Sequence, residues 1–125
     1  MSLDVYLQGD EYETACRCHD CDHEHTRKTR DTYYDGNITH NLGSMADAAG
    51  IYPHLWRPDE IGVTRASELI EPLAAGLAKL RSEPEHYRVH NPPNGWGSYE
   101  GLVRFIAEYL DACRAHPEAT VRVSR

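Results

Sequence analysis

Residues 3–7 read LDVYL. Leu3, Val5 and Leu7 alternate with Asp4 and Tyr6, a period of two that puts three apolar side chains on one face of a β-strand. The run DTYYDGNI over residues 31–38 is a second extended segment, weakened by Gly36. A long hairpin joining the two is the simplest arrangement, with the Cys/His-rich segment between them at its tip. At the other end of the chain, Val121 and Val123 face one way and Arg122 the other. That closing strand needs a sheet to cover its valines and is expected to join the first two.

The middle of the chain reads as helices. Leu42, Met45, Ala46 and Ala49 fall at i, i+3, i+4 and i+7 after a cap at Thr39 or Asn41, and Gly50 supplies a left-handed stop. IYPHLWRPDEIG over 51–62 is a turn of helix set in loop. Thr64 is expected to cap a longer helix carrying Leu69, Ile70, Leu73, Leu77 and Leu80, kinked or split at Pro72. Ser82 starts a short helix that runs through Tyr87. Ser98 opens the last helix, whose stripe is Leu102, Val103, Ile106, Tyr109, Leu110 and Cys113, and Pro117 ends it. Three short strands cannot hide their own apolar face. The expected fold is therefore α+β: a small antiparallel sheet of about three strands, with helices packed on one face and a Cys/His-rich hairpin tip.

The chain has 125 residues, 40% of them hydrophobic, which suits one core and not two. It is read as a single domain over 1–125, with residues 14–30 as a metal-binding hairpin insert. No apolar run approaches the roughly 18 residues of a membrane span. The acidic N-terminus lacks the basic flank and apolar stretch of a leader. A cytoplasmic location without membrane attachment is the expectation. The net charge of −7 disfavours a nucleic-acid partner. Arg17, Arg27, Lys28 and Arg30 form a local basic group, interleaved with Asp20, Asp22, Glu24 and Asp31. Such a mixed-sign stretch reads first as a solvated loop.

Residues 16–25 read CRCHDCDHEH, three cysteines and three histidines in ten positions. Thiolate and imidazole in this density suit zinc, which takes four such ligands in a tetrahedron. In an extended segment Cys16 and Cys18 point to one face, as do His23 and His25. Cys18 and Cys21 offer the tighter two-residue spacing. The preferred set is Cys16, Cys18, Cys21 and His25, with His23 as substitute. A surplus of ligands favours a closed structural shell over a catalytic one. The competing readings are a metal-free loop and a bridge between two of the cysteines.

A second candidate lies where two loops enter helices. NITHN over 37–41 presents Thr39, His40 and Asn41, and NPPNGWGS over 91–98 presents Asn91, Asn94 and Trp96, with Tyr99 just beyond. Side by side, these helix starts would form a pocket with aromatic walls and polar points, attractive to an anionic guest. The ligand-binding candidates are His40, Asn41, Asn94 and Trp96. The competing reading makes the asparagines caps, Trp96 a core plug and His40 a satisfied structural histidine. No nucleophilic constellation can be placed from spacing, so no catalytic residue is assigned and the reading leans away from an enzyme.

The stretches NITHNLGSMADAAGIYPHLWRPDEIG and NPPNGWGSYEGLVRFIAEYLDAC resemble a group of small uncharacterised bacterial and phage proteins, over roughly residues 37–125. The resemblance implies no activity and carries over no functional residue. It leaves the Cys/His segment as an accessory of this member. Two readings remain: a zinc-stapled binding or interaction protein, and a small-molecule protein or small enzyme whose anionic ligand, such as a nucleotide-like one, contacts the His40, Asn94 and Trp96 region.

The purified protein is expected to carry one zinc per chain by mass spectrometry. Cys18→Ser should lower occupancy most, because both ligand geometries use Cys18. His23→Ala and His25→Ala should each cost less, since one imidazole replaces the other. Sub-stoichiometric zinc in the unmodified chain would count against the assignment.

Overall fold

The computed structural model describes residues 2–15 and 26–125. Among the described residues five strands and five helices follow the order β1 (Ser2–Gln8), β2 (Tyr12–Ala15), β3 (Thr26–Thr29), β4 (Thr32–Thr39), α1 (Gly43–Ala48), α2 (Tyr52–Trp56), α3 (Ser67–Ser82), α4 (Pro84–Arg88), α5 (Tyr99–Ala115) and β5 (Thr120–Ser124). Single 3-10 turns lie at His40–Leu42 and Pro58–Ile61. The fold is α+β, built on a three-stranded antiparallel sheet of order β4-β1-β5.

β1 is central because its apolar face is the most regular in the chain. Leu3, Val5 and Leu7 are all fully buried, and the residues between them only half so. Their neighbours Ile38 and Val121 share that face, and the helices cover it. The opposite face is polar: Asp4 lies across from Asn37 and Ser124, and Tyr6 from Asp35 and Arg122. The closing strand does join the sheet, and it does so beside β1.

β1 and β4 continue into a second ladder, β2 with β3, where Ala15 stands opposite Thr26. Gly9 N–H donates to Asp31 O at 2.8 Å, and Arg30 donates to Gly9 O at 3.1 Å, at the junction between the two ladders. Of the basic group, Arg30 is half-buried at this junction, and Lys28 is exposed and lies 3.7 Å from Glu11. Cys16, Cys18, Cys21, His23 and His25 fall in the segment joining β2 to β3, outside the described residues.

Several sequence expectations shift by a residue or change hands. The helix after Thr39 begins as a 3-10 turn and becomes α-helical only at Gly43, although its apolar face is as expected: Leu42, Met45, Ala46 and Ala49 are buried. Gly50 stops it with φ +79°. Thr64 does not cap α3. Instead the Glu68 carboxylate reaches back and accepts from Thr64 N, Thr64 Oγ1 and Arg65 N, and these bonds hold its pKa below the usual carboxylate range. α3 is not split at Pro72 but runs on to Ser82. Ser82 closes α3, donating to Lys79 O, and does not open α4. Ser98 does cap α5, its Oγ accepting from Gly101 N at 3.1 Å. The α5 stripe is as read, with Tyr99 and Phe105 added and Val103 only half-buried. Cys113 lies on that stripe, fully buried. Among the described residues no helix is long and apolar enough to cross a membrane.

Packing within the helical layer is tight at Gly76 of α3. A Cβ there would lie 2.5 Å from Ile51 Cγ2 and 3.0 Å from Cδ1. Alanine in a helix interior normally gains about 0.5–1 kcal/mol over glycine. Overpacking costs about 1–3 kcal/mol and should win here. Gly76→Ala is therefore expected to lower unfolding stability by about 1–2 kcal/mol. On an Ile51→Ala background the same change should become neutral or favourable. Denaturant unfolding of the four proteins in that cycle checks the sign.

Candidate functional site

The last residues of β4 and the loop before α5 meet at one end of the sheet. β4 alternates, so Ile38 goes into the core while Asn37 and Thr39 face the other way. Thr39 then ends the strand, its Oγ1 accepting from Asn41 N at 3.3 Å. This turns the chain sharply and brings His40 and Asn41 out at the strand end.

The opposing loop is shaped by its own side chains. Asn91 Oδ1 accepts from Tyr99 N at 2.9 Å, and Asn94 Oδ1 accepts from Trp96 N at 3.0 Å, an Asx turn two residues long. Gly95 and Gly97 take φ of +76° and +103°. Gly97 is also where the loop touches the turn. A Cβ on it would stand 2.7 Å from Thr39 Cγ2 and 2.9 Å from Leu42 Cγ. Only glycine satisfies both the backbone angle and that approach. Asn41 Nδ2 completes the junction, donating to Trp96 O at 3.4 Å.

Between these parts lies a cleft of about 960 Å³ lined by Ser2, Asn37, Thr39, His40, Asn41, Asn94, Trp96 and Arg125. The structure thus brings His40, Asn41, Asn94 and Trp96 to one concave surface. Trp96 is not a core plug: it is 70% exposed. His40 is half-buried, and its Nδ1 accepts from the Trp56 indole N–H at 2.7 Å. Trp56 itself is only 2% exposed, stacked on Tyr52 with centroids 5.3 Å apart. An indole nitrogen only donates. His40 Nδ1 is therefore unprotonated and the ring proton sits on Nε2, which has no partner among the described residues.

The helix starts do not supply the polarity. The first is a 3-10 turn of three residues followed by α1 of six, too short to sum an appreciable dipole. At the second, the Asn91 and Ser98 side chains already take the α5 N–H groups of Tyr99 and Gly101. Side chains line the cleft instead. Asn91 and Tyr99 drop out of the site, the first as a cap and the second as a buried ring whose hydroxyl donates to Leu80 O at 2.7 Å.

No family model, no curated protein and no solved structure matches this chain.

Besides Asn37, three participants were not read from sequence. Ser2 reaches the cleft because β1 pairs Ser2 with Thr39. Arg125 follows β5; its Nη1 donates to Trp56 O and to Asp59 Oδ1, both at 2.9 Å. That guanidinium holds the Asp59 carboxyl below the usual carboxylate range. Trp56 is the third, and it acts only through His40. The single available signal was the alternation in β4, which places Asn37 beside Thr39. Among the described residues no group of three or more His, Cys, Asp or Glu is placed to hold a metal ion.

Gly97→Ala should cost roughly 1–3 kcal/mol through its positive φ and its contact with Leu42. It should also displace Trp96 from the cleft wall, which the indole N–H resonance and emission of Trp96 would report. An unchanged Trp96 signal would show that the glycine does not hold the loop.

Proposed function

We propose that this chain is a small-molecule-binding protein whose ligand lies on Trp96 and contacts His40, Asn41 and Asn94. The ligand is a nucleotide-like molecule, a flat ring with an anionic substituent. One observation supports this reading above the others. In a protein of net charge −7, the eight residues lining this cleft include no acidic side chain, and they set an exposed indole among polar side chains. A volume of about 960 Å³ falls in the range of small-ligand sites. Arg125 spends only Nη1 on Trp56 and Asp59, so its other N–H groups remain for an anionic substituent.

The Cys/His segment supports a second, separate proposal: a structural zinc held by Cys16, Cys18, Cys21 and either His25 or His23. The observation that favours it is the density of ligands in CRCHDCDHEH, in a segment that connects two paired strands. Such a metal would staple the end of a polar hairpin that shares little of the core.

Ribonucleoside 5′-monophosphates test the first proposal. Titration should shift the Trp96 indole resonance and quench its emission, while buried Trp56 keeps its own. Base–aromatic stacking is worth about 1–3 kcal/mol, so Trp96→Ala should weaken binding at least fivefold. Because Trp96 is exposed, that variant should keep its thermal stability. Absence of binding by all four mononucleotides would overturn the reading.

A further inference from the structure

The hydrogen bonds that the cleft residues make with one another decide what they have left to offer. Asn37 spends its Nδ2 on Ser2 Oγ at 3.0 Å and Asp4 Oδ1 at 2.6 Å. Its carbonyl Oδ1 is therefore the atom left over, an acceptor. Asn41 spends one Nδ2 hydrogen on Trp96 O, which leaves its second N–H as a donor and Oδ1 as an acceptor. Asn94 spends Oδ1 on Trp96 N, which leaves Nδ2 as a donor. His40 spends Nδ1 on the Trp56 indole, which leaves Nε2–H as a donor. In each case the protein partner fixes which way round the side chain is held. An amide turned round would set two donors or two acceptors against each other.

The four residues together present acceptors on Asn37 and Asn41 and donors on His40, Asn41 and Asn94, all on neutral groups, against one exposed indole. An oxyanion asks for donors only, and two carbonyl oxygens in its path would repel it. A flat heterocycle with a ring or exocyclic N–H next to a ring nitrogen or carbonyl oxygen asks for this mixture, and its face asks for a stacking partner. We infer that the cleft reads the hydrogen-bonding edge of a nucleobase-type heterocycle, through Asn37, His40, Asn41 and Asn94, while the ring stacks on Trp96. The inference rests on the small-molecule reading above and assigns the neutral half of that ligand. Trp56 is a positioning residue in this scheme. By holding Nδ1 it makes His40 a donor toward the cleft.

The test varies the ligand, so the fold of the protein is not at issue. Uridine and adenosine, which carry no phosphate, are titrated against 3-methyluridine and N6,N6-dimethyladenosine, which keep the ring but lose an edge N–H. Inorganic phosphate and ribose 5-phosphate are titrated alongside. Binding is followed at the Trp96 indole and at the imidazole nitrogens of His40. Uridine or adenosine is expected to bind, and its methylated partner to bind three- to tenfold more weakly, the worth of one neutral hydrogen bond. Before any ligand is added, the His40 nitrogen shifts should show the proton on Nε2. Trp56→Phe should mix the two tautomers.

Equal binding of parent and methylated nucleosides would overturn the inference, since the ring would then stack with no edge read. Binding of phosphate or ribose 5-phosphate without the nucleosides would also overturn it while leaving the small-molecule reading in place. A His40 proton on Nδ1 in the free protein would overturn it without any ligand. Failure of the mononucleotides as well would remove the reading on which it rests.

Discussion

The buried face of β1 is the constraint on which the rest of the structure depends. Leu3, Val5 and Leu7 are fully inaccessible, and each contributes about 1.5–3 kcal/mol by leaving water. A strand so apolar on one side needs a partner along each edge and a cover over the face. β4 supplies one edge through a hairpin, and β5 supplies the other by returning from the far end of the chain. The intervening helices then have one place to go. With β1 central, Ser2 stands beside Thr39, Ser124 beside Asp4, and Arg125 follows at the same end of the sheet. The cleft lies there because the core leaves the strand ends uncovered there.

The cleft shows how a small protein builds a polar surface without burying a charge. Its shape comes from glycine geometry and from asparagines that each use one end of the amide inside the protein. That use is structural, and it orients the other end as a consequence. A deletion at such a position removes two things together, the support and the presented atom. His40 follows the same logic with Trp56, and the bond between them ties the cleft to α2, whose Leu55 and Trp56 sit in the core.

Where local periodicity and burial agree, the structure was legible in the sequence. The alternation of Leu3, Val5 and Leu7, the stripe of α5 and the face of Leu42, Met45, Ala46 and Ala49 each reflect one physical demand acting over one segment. Legibility failed where a neighbour made the decision. Thr64 has the chemistry of a cap, but Glu68 took its backbone N–H first. Ser82 reads as a start and serves as an end. β2 and β3 lack an apolar face, so only their pairing reveals them. The same division holds in the cleft. His40, Asn41, Asn94 and Trp96 stood out because each sits where a loop meets a helix. Ser2, Arg125 and Trp56 did not, because strand register and a side-chain contact sixteen residues apart bring them there.

The burial of Cys113 on α5 has a chemical consequence. Its thiol is enclosed on every side and its pKa is pushed up to about 12, so the nucleophilic thiolate is scarce at neutral pH. Alkylating reagents and oxidants added to the folded protein should pass it by. Three of the four cysteines lie within residues 16–21. The fourth, Cys113, becomes taggable only when the core opens. A mass tag at this one thiol thus reports the opening of the core from inside it.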